Sequence, residues 1–185
     1  MTLRKMTEAE KQALSTPQAF WNVINAEFEF QLDACATHET SKTPAYIGPD
    51  HHIAAFRDAF QCDWLDDGYM RAWCNPPFRN VDPWHIKAHA EAQKHPGAVV
   101  AVLGLPGGSQ EWFRFAYANA SEIRLLTPRL QFDVPEGCER LSNSRDSVLY
   151  IYRRKVVQAP AHIVTWDWKA AAEAMQHGLP MGDAA

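Results

Sequence analysis

The four consecutive residues Asn75-Pro76-Pro77-Phe78 are the ones whose types and order best suit a chemical reaction. Two prolines in a row remove two N–H donors and fix two φ angles, and a residue that precedes proline is pushed out of the helical region. We therefore expect Asn75 at a rigid, extended exit from the strand-like run 69–74. Its amide oxygen and the nearby backbone carbonyls would accept hydrogen bonds from an exocyclic amino group, and the Phe78 ring would stack on a planar heterocycle.

Such a group of acceptors suits methylation of a conjugated amine, for example the exocyclic amine of adenine. Acceptors on its two hydrogens draw this poorly nucleophilic nitrogen toward tetrahedral geometry and expose its lone pair. Positioning lowers the barrier, and aligned dipoles stabilise the positive charge that develops on nitrogen. A base in a duplex must leave the stack to reach the site. The competing interpretation is a plain turn after an edge strand, but the position of residues 75–78 between a strand and a helix favours the functional one.

The elements that would position this motif alternate along the chain. Apolar periodicity predicts helices at 7–15, 17–28, 83–95, 111–119 and 168–177, and strands at 30–36, 69–74, 98–105, 123–126 and 147–152. This alternation predicts an α/β fold with a largely parallel sheet. Ligands of such sheets bind at the carboxyl ends of the strands, and two predicted strand ends carry candidate residues, 33–36 and 75–78.

Length and charge limit the class of protein. The 185 residues suit a single domain, 1–185. No run approaches the roughly 18 consecutive apolar residues of a membrane helix, and residues 1–11 precede no apolar stretch of the kind found in signal peptides. We therefore expect a cytoplasmic protein with no membrane partner. The net charge of −4 excludes broad attraction to nucleic acid but is compatible with a local basic groove.

Other kinds of site find little support. The four cysteines form no Cys-X-X-Cys pair, which argues against a structural zinc site. His85 and His89 are four residues apart on a predicted helix, but Ile86 stands where a zinc protease has Glu, and no third ligand is evident. We therefore expect no bound metal. The glycine-rich stretch 104–108 lacks the Lys-Ser/Thr of a phosphate loop, so hydrolysis of a nucleoside triphosphate is not indicated.

Taken together, several segments resemble the phage-type DNA N-6-adenine methyltransferases, S-adenosylmethionine-dependent enzymes related to the Dam methylases. The resemblance covers about residues 15–153 and leaves 154–185 as a C-terminal helix and tail. It rests on the order and spacing of Thr16-Pro17-Gln18, Phe30-Gln-Leu-Asp33-Ala-Cys-Ala36, Asp63-Trp64, Trp73-Cys-Asn75-Pro-Pro-Phe78, Trp112-Phe113, Glu122-Ile-Arg124, Arg129-Leu-Gln-Phe132 and Ser147-Val-Leu. The resemblance implies a Rossmann-like methyltransferase fold of reduced size, S-adenosyl-L-methionine as cofactor and DNA as partner. It implies no oligomeric state.

The resemblance also implies roles at matching positions. Residues 75–78 correspond to the catalytic Asn/Asp-Pro-Pro-aromatic motif. The expected cofactor contacts are Thr16 and Pro17 at the methionine end, Asp33, Ala34 and Cys35 at the tip of the first strand, and Asp63 and Trp64 at the adenine. Arg129 and Arg145 are candidates for contact with DNA. Several of these residues have structural alternatives: Asp33 as a loop cap, Thr16 and Pro17 as a helix start, and Arg129 as a surface charge.

The chain also departs from the family pattern. The first strand is followed by Asp33-Ala-Cys-Ala-Thr-His38, without the glycine-rich turn of many methyltransferases, and Arg129 follows Pro128 where glycine is expected. Three alternatives therefore stay open. One is methylation of another planar amine or amide, such as protein glutamine. Another is a non-catalytic DNA-binding or partner-binding relative, and the third is a structural protein.

Overall fold

The computed structural model describes residues 4–7, 14–66, 68–134, 137–138 and 146–178. Within these ranges the helices are α1 (Gln18–Phe28), α2 (Asp82–Lys94), α3 (Glu111–Asn119) and α4 (Trp168–Gln176). The strands are β1 (Leu32–Asp33), β2 (Ala45–Tyr46), β3 (Arg71–Cys74), β4 (Val99–Gly104), β5 (Glu122–Thr127), β6 (Val148–Arg153) and β7 (His162–Asp167). The chain therefore has the predicted mixed α/β architecture.

The seven strands form one sheet in the order β2-β1-β3-β4-β6-β5-β7. Neighbours from β2 to β4 are parallel, as are β5 and β7, whereas β6 runs antiparallel to both of its neighbours. The sheet is thus largely parallel, as predicted, with one reversed strand. In the register of β1 and β3, Asp33 lies beside Trp73, so the ends of these two strands meet at one edge.

Helices cover both faces of the sheet. On one face α1 buries Phe20, Trp21 and Ile24, which recur at helical spacing, against Trp73. On the other face, small residues of α2 and α3 such as Ala88 pack on β3 and β4. Burial on both faces explains the unbroken apolar run of β4.

The structure differs from the sequence prediction in several elements. β7 was not predicted because only alternate residues of this edge strand face the core. β2 was not predicted because two residues carry no recognisable period. The first predicted strand, 30–36, contains only the two paired residues of β1. Residues 8–13, the body of the helix predicted at 7–15, lie outside the described residues, as does Arg145.

Candidate active site

A pocket of about 480 Å³ opens at the carboxyl ends of β1, β2 and β3. β2 and β3 flank β1 on opposite sides, so the connections that leave the ends of these strands diverge around a crevice. Open α/β sheets bind ligands at such a point. The pocket walls bring together six residues expected at the site: Thr16, Asp33, Ala34, Cys35, Asn75 and Pro77.

Asn75 directly follows β3, at the rigid exit that its two prolines predict. Its Nδ2 donates a hydrogen bond to the backbone carbonyl of Leu14 at 3.1 Å. Because a carbonyl only accepts, this contact requires the amide nitrogen to face Leu14 and leaves Oδ1 on the other side. Within the described residues no group donates to Oδ1. Asn75 therefore presents an oriented acceptor at the pocket.

Asp33 shapes the glycine-free turn after β1. Its buried carboxylate accepts hydrogen bonds from the backbone N–H of Cys35 at 3.3 Å and of Lys42 at 3.1 Å. Burial raises the pKa of Asp33 to about 6, against the lowering effect of these two N–H donors. The Thr37 N–H is in turn bound by the Thr40 hydroxyl at 2.9 Å. Side chains thus fix a loop that glycines shape in many methyltransferases.

Gly48, just beyond β2, allows two walls of the pocket to touch. A Cβ at this position would lie 1.6 Å from the carbonyl oxygen of Ala36, a backbone atom that cannot move aside cheaply. Both residues line the pocket. The close approach of two backbone segments that requires a glycine therefore occurs after β2, at Gly48, and not in the turn after β1.

Asp63 and Trp64, which were expected at the adenine of the cofactor, are not among the residues that line the pocket. Exposed Asp63 pairs with Lys94 instead. Trp64 is fully buried, and its Nε1 donates to the carbonyl of Ala59 at 2.8 Å. Its backbone N–H donates to Glu91 of α2 at 3.1 Å. Trp64 is therefore a core residue, and its hydrogen bond to Ala59 supports a residue that lines the pocket.

Three other residues of this segment, Asp58, Ala59 and Phe60, do line the pocket. The sequence analysis did not name them as site residues. The Phe60 ring lies 4.6 Å from that of Trp84, centroid to centroid, so two aromatic rings border one end of the pocket. An available signal was the order Asp-X-aromatic, which occurs at 58–60 five residues before Asp63. The shape and the acidic side chain of this end suit a planar, aminated ring.

Comparison with known proteins identifies the family of the chain. The family model described as DNA N-6-adenine-methyltransferase (Dam) matches residues 4–179. The chain belongs to this family. It is also similar to the DNA N-6-adenine-methyltransferase of Haemophilus phage HP1 (strain HP1c1), with 28% identity over 159 residues, which cover 84% of this chain and 86% of the phage protein. The match to the Dam family confirms the resemblance inferred from the motif order.

Phe78, the last residue of the Asn-Pro-Pro-Phe motif, does not line the large pocket. Its ring meets the edge of the Phe132 ring at a centroid distance of 6.0 Å. It also borders a second pocket, of about 330 Å³, on the side toward α3. Pro17 likewise lies outside the large pocket, where its carbonyl accepts from the Trp21 N–H at the start of α1.

Arg129 follows β5 on the segment that leads to Phe132. It is exposed, and its Nε donates to Asp146 at 2.6 Å. Trp168 of α4 anchors this segment, because its Nε1 donates to the Pro128 carbonyl at 2.6 Å. The segment reaches the large pocket where the Asp133 N–H bonds the Ser15 carbonyl at 3.2 Å. The C-terminal elements of the chain thus support a loop beside the motif.

No helix among the described residues is both long and apolar enough to cross a membrane. Nowhere in those ranges do three or more His, Cys, Asp or Glu side chains stand where they could hold a metal ion.

Proposed function

We propose that this member of the Dam family transfers the methyl group of S-adenosylmethionine to the exocyclic amine of adenine in DNA. The observation that carries the proposal is the orientation of Asn75. Its amide nitrogen is held by Leu14, and its Oδ1 is left as an acceptor beside a pocket large enough for a nucleoside cofactor.

The sheet supports a Rossmann-like methyltransferase fold of reduced size. The order of the strands reverses around β1, and the pocket lies at that reversal. Dinucleotide-binding α/β folds place their ligands at the same kind of point. Asp33 at the end of β1 and Asn75 are only 42 positions apart in the chain. This separation is short because β2, the single strand beyond β1 in the sheet, has only two residues.

The residues of the large pocket fit the parts of S-adenosylmethionine. Ala34 and Ala36 leave room at the strand end, and the hydroxyls of Thr16 and Thr40 offer partners to the charged methionine part. At the other end, Phe60 and Trp84 can flank the adenine ring, and Asp58 can accept from an amine or a ribose hydroxyl. The bound cofactor supplies an electrophilic methyl group on sulfur.

The motif residues act on the target amine. Asn75 Oδ1 accepts a hydrogen bond from one N–H of the amine, and the backbone carbonyl of Pro76 accepts a hydrogen bond from the other N–H. These two acceptors direct the nitrogen lone pair toward the large pocket. Their dipoles also stabilise the positive charge that forms on nitrogen, without reorganisation during the step.

Phe78 and the segment around Arg129 engage the DNA. The Phe78 ring offers a stacking surface to the extruded adenine, as aromatic residues do for unpaired bases. We assign Arg129 and Arg145 to backbone phosphates, which attract cations irrespective of sequence. The net charge of −4 means that such contacts are local. We propose that the activity takes place in the cytoplasm of a bacterial or phage-infected cell.

The test is transfer of a tritiated methyl group from S-adenosylmethionine to DNA, followed by digestion and separation of the nucleosides. We expect the label in N6-methyladenine. Label in cytosine, or in protein glutamine, would reject the proposed substrate. A chain that calorimetry shows to bind no S-adenosylmethionine would be the non-catalytic relative instead.

A further inference from the structure

The second pocket is bordered by Phe78, which does not line the large pocket. It holds about 330 Å³ between the motif, the start of α2, the end of β4 and the start of α3. Neither Asn75 nor Pro77 lines it, although both line the large pocket. An amine bound to Asn75 therefore belongs to a ring on the side of the motif that faces the large pocket, next to the cofactor, and the second pocket has space for a different ring.

One wall of the second pocket is the indole of Trp112, which the interior holds in place. The buried His85 ring stacks on it in parallel, 5.0 Å away with 5° between planes. His85 Nδ1 is hydrogen-bonded to the Tyr152 hydroxyl at 2.8 Å, and burial lowers the pKa of His85 to about 4, so the ring is neutral at pH 7. The wall is thus a preformed flat surface.

Gly107 makes room for this wall. A Cβ at Gly107 would lie 2.2 Å from a ring carbon of Trp112. Any larger residue would push the indole out of its place. In the glycine-rich stretch 104–108, Gly107 therefore leaves the space that the Trp112 ring needs to line the pocket.

The rim of the pocket carries polar side chains of three kinds. Arg79, Asp82 and Gln110 are all exposed there, and within the described ranges no hydrogen bond or ion pair involves their side chains. Arginine pairs with guanine, glutamine with adenine and aspartate with cytosine through the edges of the bases. A flat wall with such side chains around it has the chemistry of a nucleobase site.

We propose that the second pocket holds a base of the DNA next to the target adenine, and that Gln110 and Arg79 select that base. The inference rests on the proposed function, because it takes the target amine to be bound at Asn75. In this arrangement Phe78 lies between the target adenine and the neighbouring base. The second pocket determines which neighbouring base is preferred.

The experiment uses the full chain and a pool of duplex oligonucleotides in which one adenine is fixed and the positions on both sides are randomised. The products that carry N6-methyladenine are separated and sequenced. The parent chain is expected to prefer one base at a position adjacent to the target, by about ten- to a hundredfold. Gln110→Ala, Arg79→Ala or both should erase that preference and leave the other positions unchanged.

Two variants serve as matched controls. Arg114→Ala removes an exposed cation from α3, and Gln176→Ala removes an exposed amide from α4, both outside the pocket. Both should keep the parent's base preference. If Gln110→Ala and Arg79→Ala slow every sequence equally, the pocket holds the target adenine and the inference is wrong. A parent that methylates adenine with no preference at either neighbour also overturns it. A parent that makes no N6-methyladenine contradicts the proposed function itself.

Discussion

Asn75 and Leu14, which are 61 positions apart in the chain, meet through a hydrogen bond of 3.1 Å from the amide nitrogen of one to the carbonyl oxygen of the other. The bond does more than join the N-terminal segment to the end of β3. It decides which way the amide of Asn75 faces, and hence whether an oxygen or a nitrogen meets the target amine. The acceptor that we propose for the target amine is thus oriented by a backbone carbonyl from a distant segment of the chain.

Replacement of Asp33 by alanine should weaken the binding of S-adenosylmethionine about tenfold or more while leaving DNA affinity nearly unchanged. The reason is that the carboxylate holds the N–H groups of Cys35 and Lys42, and buried donors without partners cost roughly 1–3 kcal/mol each. Calorimetry with each ligand measures the two affinities. Unchanged affinity for the cofactor would remove Asp33 from the site.

Asp33 also makes stability depend on pH. Its pKa is raised by burial from 3.8 to about 6 in the folded chain, so the folded state holds a proton there that the unfolded state releases. The free energy of unfolding contributed by Asp33 therefore falls as pH rises from about 4 to about 6. Asp33→Asn should abolish this part of the slope. Denaturant unfolding of both proteins at a series of pH values measures it, and equal slopes would show that Asp33 does not titrate in this way.

Glu91→Gln should lower the free energy of unfolding by about 2 kcal/mol, since charge-assisted hydrogen bonds are lost at a buried position. Glu91 accepts from the N–H groups of Trp64 and Leu65 and pairs with Lys87 and Lys94. Because Trp64 in turn holds Ala59, affinity for the cofactor should fall as well.

The matched control is Glu29→Gln. Glu29 pairs with Arg71 on the surface, where the two side chains are 76% and 41% exposed. Loss of such a pair costs less than about 1 kcal/mol. Chemical denaturation of the two variants compares the sites, and equal losses would mean that Glu91 does not hold the 64–65 segment.

Phe78→Ala should cut methylation of duplex DNA about ten- to a hundredfold, because stacking of a base on an aromatic ring is worth roughly 1–3 kcal/mol. Phe78→Tyr and Phe78→Trp should keep much of the activity, since a flat face remains. DNA with a mismatch opposite the target adenine should suffer less from Phe78→Ala, because that base is easier to extrude. Rates of tritium transfer measure all three effects, and a parent-like rate for Phe78→Ala would exclude stacking.

Sequence reasoning succeeded where local chemistry determines structure. Two prolines after a strand dictate the backbone at Asn75 whatever surrounds it, and the apolar run of β4 can only be a buried strand or helix. Both the position of the motif and the α/β class followed from such signals.

What the sequence could not provide depends on contacts between distant segments. Nothing in the neighbourhood of Leu14 indicates that its carbonyl orients Asn75. Asp63-Trp64 and the stretch 58–60 both have an acidic residue before an aromatic one, and only packing against Glu91 shows that Trp64 faces the interior while Phe60 faces the pocket. Four of the six residues of β7 are exposed, and the apolar Ile163 is one of them, so polar and apolar residues do not alternate clearly along this strand.

The central claim, that Asn75 performs the transfer rather than holding the fold or the cofactor, is tested most directly by Asn75→Ala. The measurement is the yield of N6-methyladenine in DNA by mass spectrometry of the nucleosides, beside calorimetry of S-adenosylmethionine on the same protein. We predict that the variant forms no detectable N6-methyladenine while it binds the cofactor within about fivefold of the parent, since loss of a single interaction at the pocket edge costs about 1 kcal/mol or less. Methylation near the parent rate would contradict the account.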